Sequence, residues 1–157
     1  MLDVLAEVFE KRSDSFKQEI YVIFGNVALG DLSQKYALIH HRIFPSLLNG
    51  VPEMNEKVQR EAFFMVAHLL DTKDKDFLLT LIRNHENTLP VFFLSLRKAS
   101  QEWHLVERNL YALETLLAHQ SIFNMDIALM LEEDGALSSI EAYQTHCPEN
   151  IYTRVIL

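Results

Sequence analysis

The sequence predicts an all-α chain built as a one-dimensional array of short helices, and three observations carry that expectation. Apolar residues recur at spacings of three and four almost throughout, and strand-like alternation is nowhere sustained. Only 4 glycines and 4 prolines occur in 157 residues, too few for a turn-rich β fold or a glycine-rich nucleotide-binding fold. Separate stretches of the chain also resemble one another at a regular interval, the signature of stacked repeats. Hydrophobic residues make up 49% and charged residues 23% of the sequence, enough apolar material for a packed core and too much for a disordered chain.

In chain order, Leu2, Leu5, Val8 and Phe9 form a short apolar stripe, followed by Phe16, Ile20, Phe24 and Val27. Tyr36, Leu38, Ile39 and Ile43 give way to Phe44–Leu48, where Pro45 marks a helix start. The spacing predicts a long helix over Asn55–Leu70, shorter ones over Phe77–Ile82 and Leu89–Leu96, and a second long one over Trp103–Leu117. Ile127–Leu131, Ile140–Tyr143 and Ile151–Leu157 complete the series. Turn material separates them at Gly30–Asp31, Gly50–Pro52, Asp71–Asp74 and Glu133–Gly135. None of these breaks is long or low in complexity, so residues 1–157 read as a single domain. Phe24, Leu47, Val66, Leu69, Phe92, Leu113, Leu116 and Ile140 are its expected core.

The repetition is explicit. Lys17–Val27 aligns with Gln59–Leu69, placing Glu19, Val22 and Asn26 over Glu61, Phe64 and His68. A third copy, Glu107–Leu117, places Tyr111 under Phe64 and Thr115 under His68. The proline-bearing helices repeat as well: Phe44–Leu48 matches Leu89–Phe93, with Pro45 over Pro90, and Gly135–Ile140 continues the line without proline. These intervals lie in the armadillo/HEAT range of about 40–47 residues. Each unit reads as two short helices followed by a long one, giving a right-handed armadillo-type α-solenoid of about three and a half units. The chain opens within a unit and closes on the apolar Val155–Leu157, and so reads as the C-terminal part of a longer solenoid.

Three stretches resemble the importin-α (karyopherin-α) armadillo domain, in its last repeats. Phe16–Ala28 is similar to that family's long helix KKEAAWAISNAT, and Ala112–Leu117 to its GLENIL. Leu131–Tyr152 is similar in order, spacing and residue type to its terminal EEAGGLDKIENLQSHENEEIY. The resemblance covers nearly the whole chain and is divergent. It implies a non-enzymatic nuclear import adaptor, found in cytoplasm and nucleus, whose long helices line a concave groove. Basic nuclear-localisation peptides of cargo proteins would lie there in extended form. An export receptor and nucleoporins would dock at the C-terminal end. No cofactor is implied.

The resemblance also implies site residues. The family's lysine-stacking Trp falls on Val22, Phe64 and Tyr111; its backbone-binding Asn falls on Asn26, His68 and Thr115; its acid falls on Glu19, Glu61 and Arg108. Residues at i and i+4 share one helix face, an amide offers both donor and acceptor to a peptide backbone, and an aromatic face holds a cation and its methylene stem. The expected peptide-binding set is therefore Glu19, Asn26, Glu61, Phe64 and His68. Val22 cannot stack on a cation, and His68 lacks the paired donor and acceptor of an amide, so binding is expected to be weak. His68 is expected to protonate below about pH 6 and so to weaken it further. The alternative is a general armadillo interaction scaffold with no transport role.

Other classes find little in the sequence. The formal net charge of −8 repels a phosphate backbone, and no basic patch is interleaved with aromatics, so no nucleic-acid binding is expected. The apolar runs Ala62–Ala67 and Ile127–Leu131 are too short to span a bilayer, so no membrane partner is expected. A lone Cys147 permits no intrachain disulfide, and the chain reads as intracellular. The seven histidines include no HExxH and no i, i+4 pair, and there is no CxxC, P-loop or GxSxG, so neither a metal site nor an enzyme is expected. Trp103 reads as a packing residue between repeats. The acidic Glu132–Asp134 run, at a helix C-terminus, conflicts mildly with the macrodipole.

Overall fold

The computed structural model describes residues 1–11 and 13–155. Eleven α-helices and no strand are formed among the described residues. They are α1 (Leu2–Lys11), α2 (Asp14–Leu29), α3 (Leu32–Ile39), α4 (Phe44–Asn49), α5 (Glu56–Leu70), α6 (Lys75–Asn84), α7 (Thr88–Lys98), α8 (Trp103–Phe123), α9 (Ile127–Asp134), α10 (Ala136–His146) and α11 (Glu149–Val155), with a single 3₁₀ turn, Val51–Glu53, between α4 and α5. Two complete units of two short helices and a long one, α3–α5 and α6–α8, follow the partial unit α1–α2, and α9–α11 forms the last. The long helices α2, α5 and α8 lie side by side in one layer, with α11 packed next to α8. Ile156 and Leu157, part of the apolar terminus expected to close the chain, lie outside the described residues.

Local chemistry sets the helix starts. Asp31 caps α3 by accepting from the Gln34 amide at 2.9 Å, while the Gln34 side chain accepts from the Asp31 amide at 3.1 Å, a closed capping box. Asn55, Asp74 and Asp126 cap α5, α6 and α9 by accepting from the amides of Val58, Phe77 and Leu129. Pro45 and Pro90 stand in the first turns of α4 and α7, where a missing N–H costs no helical bond. The helices run further than the apolar pattern suggested: α8 extends to Phe123, where Asn124 closes it in the left-handed region at φ 55°. Similarly, α9 absorbs Glu133 and Asp134, leaving Gly135 alone, at φ 82°, to turn the chain into α10.

The core is continuous from Ala6 to Ile151. Phe24, Leu47, Val66, Leu69, Phe92, Leu113 and Leu116 are buried as expected. Ile140 is only half-buried, because the inward positions of α10 are Ala136 and Tyr143. The repeat is visible in burial itself. Ile20, Tyr21, Phe24, Gly25 and Ala28 on α2 map at the sequence repeat onto Ala62, Phe63, Val66, Ala67 and Leu70 on α5, and all ten are buried.

Polar ties join helices both within and between units. The Tyr21 hydroxyl donates to the Leu47 carbonyl at 2.6 Å, joining α2 to α4, and the Tyr143 hydroxyl donates to the Leu96 carbonyl, joining α10 to α7. Burial holds both phenols protonated, Tyr21 well above the ordinary range and Tyr143 pushed up to about 12. Buried Asn109 donates to Ser95 at 2.8 Å between α8 and α7. Gln59 donates to the Val51 carbonyl at 2.9 Å and accepts from Lys98, locking α5 to the 3₁₀ turn and to α7. The acidic end of α9 is met from α7, where the Arg97 guanidinium pairs with the Asp134 carboxylate. The conflict with the macrodipole is thus offset within the chain. Tyr21→Phe, which strips a buried carbonyl of its donor, is expected to cost about 1–2 kcal/mol in urea unfolding, against about 3–5 kcal/mol for the cavity left by Phe92→Ala.

Candidate functional site

The α2–α5–α8 layer has one side committed to the core and one side accessible. Along the accessible side run Glu19, Val22 and Asn26 of α2, then Glu61, Phe64 and His68 of α5, then Arg108, Tyr111 and Thr115 of α8. Side-chain contacts fix the lateral register of these helices. Asn55 at the start of α5 donates to Asp14 at the start of α2 at 2.9 Å, 41 residues apart. Arg60 of α5 donates to Glu102 at the start of α8 at 2.5 Å, 42 residues apart. Glu19 and Asn26 are exposed. Val22 is 38% exposed, a bare aliphatic surface where its α5 counterpart has a ring. Trp103 stands apart from this stripe: half-buried, it lines a cleft with Tyr143 and His146 of α10, the inter-repeat packing place expected of it.

The α5 stripe is a connected cluster. Phe64 and His68 are half-buried and stack at a centroid distance of 6.1 Å and an interplanar angle of 26°, as residues one turn apart do. The Arg60 guanidinium carbon lies 5.4 Å from the Phe64 ring centroid, and Arg60 donates to Glu61 at 2.9 Å. The Glu61 side chain is only 16% exposed. From α3, Lys35 donates to the His68 carbonyl at 3.1 Å. On α8 the pattern recurs in part, with the Arg108 guanidinium carbon 5.8 Å from the Tyr111 ring centroid. Thr115 donates to the Tyr111 carbonyl at 3.1 Å and so serves its own helix.

His68 differs from its sequence expectation. Burial, reinforced by the nearby cations Arg108 and Lys35 and only partly offset by Asp71, lowers its pKa from 6.5 to about 4. The ring is therefore neutral through the physiological range and is not a switch near pH 6. Arg60, Glu102, Lys35 and Asp71 were not among the expected site residues. The Arg60–Phe64 spacing of four on α5 and the place of Asp71, just past His68 at the end of the same helix, were readable in the sequence, whereas Glu102 and Lys35 reach the cluster only through packing. Among the described residues, no group of three or more His, Cys, Asp and Glu side chains could hold a metal ion, and no helix is long and apolar enough to cross a membrane.

This geometry defines an armadillo-type α-solenoid, and solved structures of that kind match it. Over 97% of the chain it is similar to a computationally designed armadillo repeat protein for modular peptide recognition, with a TM-score of 0.74 and 21% sequence identity. It is also similar, again over 97% of the chain, to a designed armadillo repeat protein in complex with the peptide (KR)4, with a TM-score of 0.72 and 22% identity. The chain spans 60% of the length of each of those proteins. No family model and no curated protein matches the sequence.

The depressed His68 pKa has a definite sign. The unfolded chain takes up a proton at this position near pH 6.5 and the folded chain only near 4, so stability is present in full above about pH 6.5 and falls as pH drops from there toward 4. In a pH titration followed by NMR, the His68 ring is expected to titrate near 4. His68→Gln should flatten the fall in urea midpoint between pH 7 and pH 5 relative to the parent. Part of that fall should persist, because burial also lowers the pKa of His85.

Proposed function

We propose that this chain is a non-enzymatic armadillo scaffold that binds an extended peptide segment across the accessible side of its α2–α5–α8 layer. The observation that carries this reading is the laterally registered stripe. Equivalent helices present an acid (Glu19, Glu61) and, seven residues further on, a polar group (Asn26, His68) on the same side of the layer. An extended peptide leaves its own backbone N–H and C=O groups unpaired, and a row of polar side chains at repeat spacing can meet them. The acids suit cationic side chains. The structural likeness to a designed armadillo protein in complex with (KR)4 agrees with a basic peptide as occupant.

In finer terms, the resemblance in Leu131–Tyr152 and in the long helices supports an importin-α-like adaptor. It would take basic nuclear-localisation peptides of cargo, meet an export receptor or nucleoporin at its C-terminal end, and work in cytoplasm and nucleus. The stripe itself favours a second reading, a general interaction scaffold. Val22 offers no stacking wall, and Phe64 already carries the chain's own Arg60. Capture of transport receptors from cell extract supports the adaptor, and their consistent absence favours the general scaffold.

The direct test is titration of a fluorescent lysine- and arginine-rich peptide against the parent and against a Val22→Trp, His68→Asn double variant. A restored stacking wall and a restored amide should each contribute on the order of 1 kcal/mol, so at least a tenfold gain is expected. A double variant that binds no tighter than the parent would show that the α2 and α5 stripe is not where the peptide lies.

A further inference from the structure

We infer that Arg60 acts as a built-in competitor for basic ligands: its guanidinium occupies the place on α5 that a peptide lysine or arginine would take. This rests on the peptide-binding reading of the α2–α5–α8 layer and adds to it a residue that sets how strongly that layer binds.

The geometry is that of a bound cation. Arg60 Nε donates to the Glu102 carboxylate at 2.5 Å and Nη1 donates to Glu61 at 2.9 Å. The guanidinium carbon lies 5.4 Å from the Phe64 ring centroid. An aromatic face and two carboxylates, one from each of two neighbouring long helices, are what a cationic side chain of a ligand would require. Here all three are satisfied from within. Glu102 is at the start of α8, so the clamp spans two units and exists only in the stacked solenoid. The arrangement has a partial copy: Tyr111, the aromatic at the equivalent position of α8, carries Arg108 from its own helix with the guanidinium carbon 5.8 Å from the ring centroid. Both aromatics at the expected stacking positions of the long helices are thus met by a cation of the same helix. On α2 that position is the aliphatic Val22.

The consequence follows from population arithmetic. A ligand cation reaches Phe64 and the two acids only when Arg60 swings away, so its apparent affinity is lowered by the fraction of time the site stands open. The Arg60 side chain is 45% exposed, so each of its contacts is individually modest. Occupancy of about nine-tenths would weaken binding about tenfold. Removing Arg60 also removes one positive charge from the surface, and that alone favours a cationic peptide. Lys57, exposed on the same helix and lining with Arg60 and Glu102 a cleft of about 380 Å³, provides the matched control: its loss changes the charge equally and leaves Arg60 over Phe64.

The experiment titrates (KR)4 against the full chain, Arg60→Ala, Lys57→Ala and the Arg60→Ala, Phe64→Leu pair, with circular dichroism confirming the helical fold of each. Arg60→Gln stands in if Arg60→Ala unfolds. The expected result is about a tenfold gain for Arg60→Ala, a gain of about twofold or less for Lys57→Ala, and loss of most of the gain in the double variant. Equal affinities for parent and Arg60→Ala, or equal gains from Arg60→Ala and Lys57→Ala, would overturn the role of Arg60 and leave the peptide-binding reading standing. Absence of binding to every form, Arg60→Ala included, would overturn both.

Discussion

The structure depends on lateral burial of the long helices. A helix such as α5 carries Val58, Ala62, Phe63, Met65, Val66, Leu69 and Leu70 at buried positions, more apolar surface than its own two short helices can cover. Burial is complete only because α2 lies against one flank and α8 against the other. A unit on its own would expose a face worth several kcal/mol of transfer free energy, at ~25 cal/mol per Å². Stability is therefore a property of neighbouring units and not of any single one, as in other quasi-one-dimensional folds. The buried polar ties, Gln59 with Val51 and Lys98, and Asn109 with Ser95, add direction to this burial. Apolar packing tolerates a slipped helix, while a hydrogen bond satisfied at one register and orphaned at the next does not.

Lateral packing also makes the surface. Once one side of each long helix is committed to the core, the other side is presented outward at a spacing set by the repeat. Equivalent residues of successive units then fall into rows. The same stacking brings Glu102 of one unit to Arg60 of the preceding one, and packing within a unit brings Lys35 of α3 to the His68 backbone of α5. Charges with no relation in sequence become a cluster, and the cluster sets the electrostatics. His68 is partly desolvated, with cations nearby, which keeps it neutral, while Arg60 is held between two carboxylates and a ring.

Much of this was legible in the residues. The apolar stretches fell in each of the eleven helices among the described residues, and the alignment of Lys17–Val27 with Gln59–Leu69 anticipated which positions are equivalent in the structure. Seven of the eight expected core residues are buried, because positions repeated in every unit must face the common core. Ile140 stands about 40–60° around α10 from Ala136 and Tyr143, at the edge of the buried stripe, so it packs against the core without being covered by it. The full lengths of α8 and α9 were hidden for a related reason. Their last turns are polar or mixed, and caps such as Asn124 at positive φ stop a helix without any change in apolar spacing.

By itself, then, the sequence determined the class of fold, the unit of three helices and the face on which Glu19, Asn26, Glu61, Phe64 and His68 stand, because period and polarity are local properties of the chain. Only the tertiary structure decided what those residues meet. The Phe64 ring has a cation over it, the Glu61 carboxylate is partnered, and the His68 pKa lies well below its ordinary value. Arg60 is a near neighbour of Phe64 and Glu61 in the chain, but the groups that hold it there or surround His68 include Glu102, Lys35 and Arg108, which lie 33 to 42 positions away. Packing brings them to the cluster, and Coulomb's law acts on separation in space and not on the spacing along the chain.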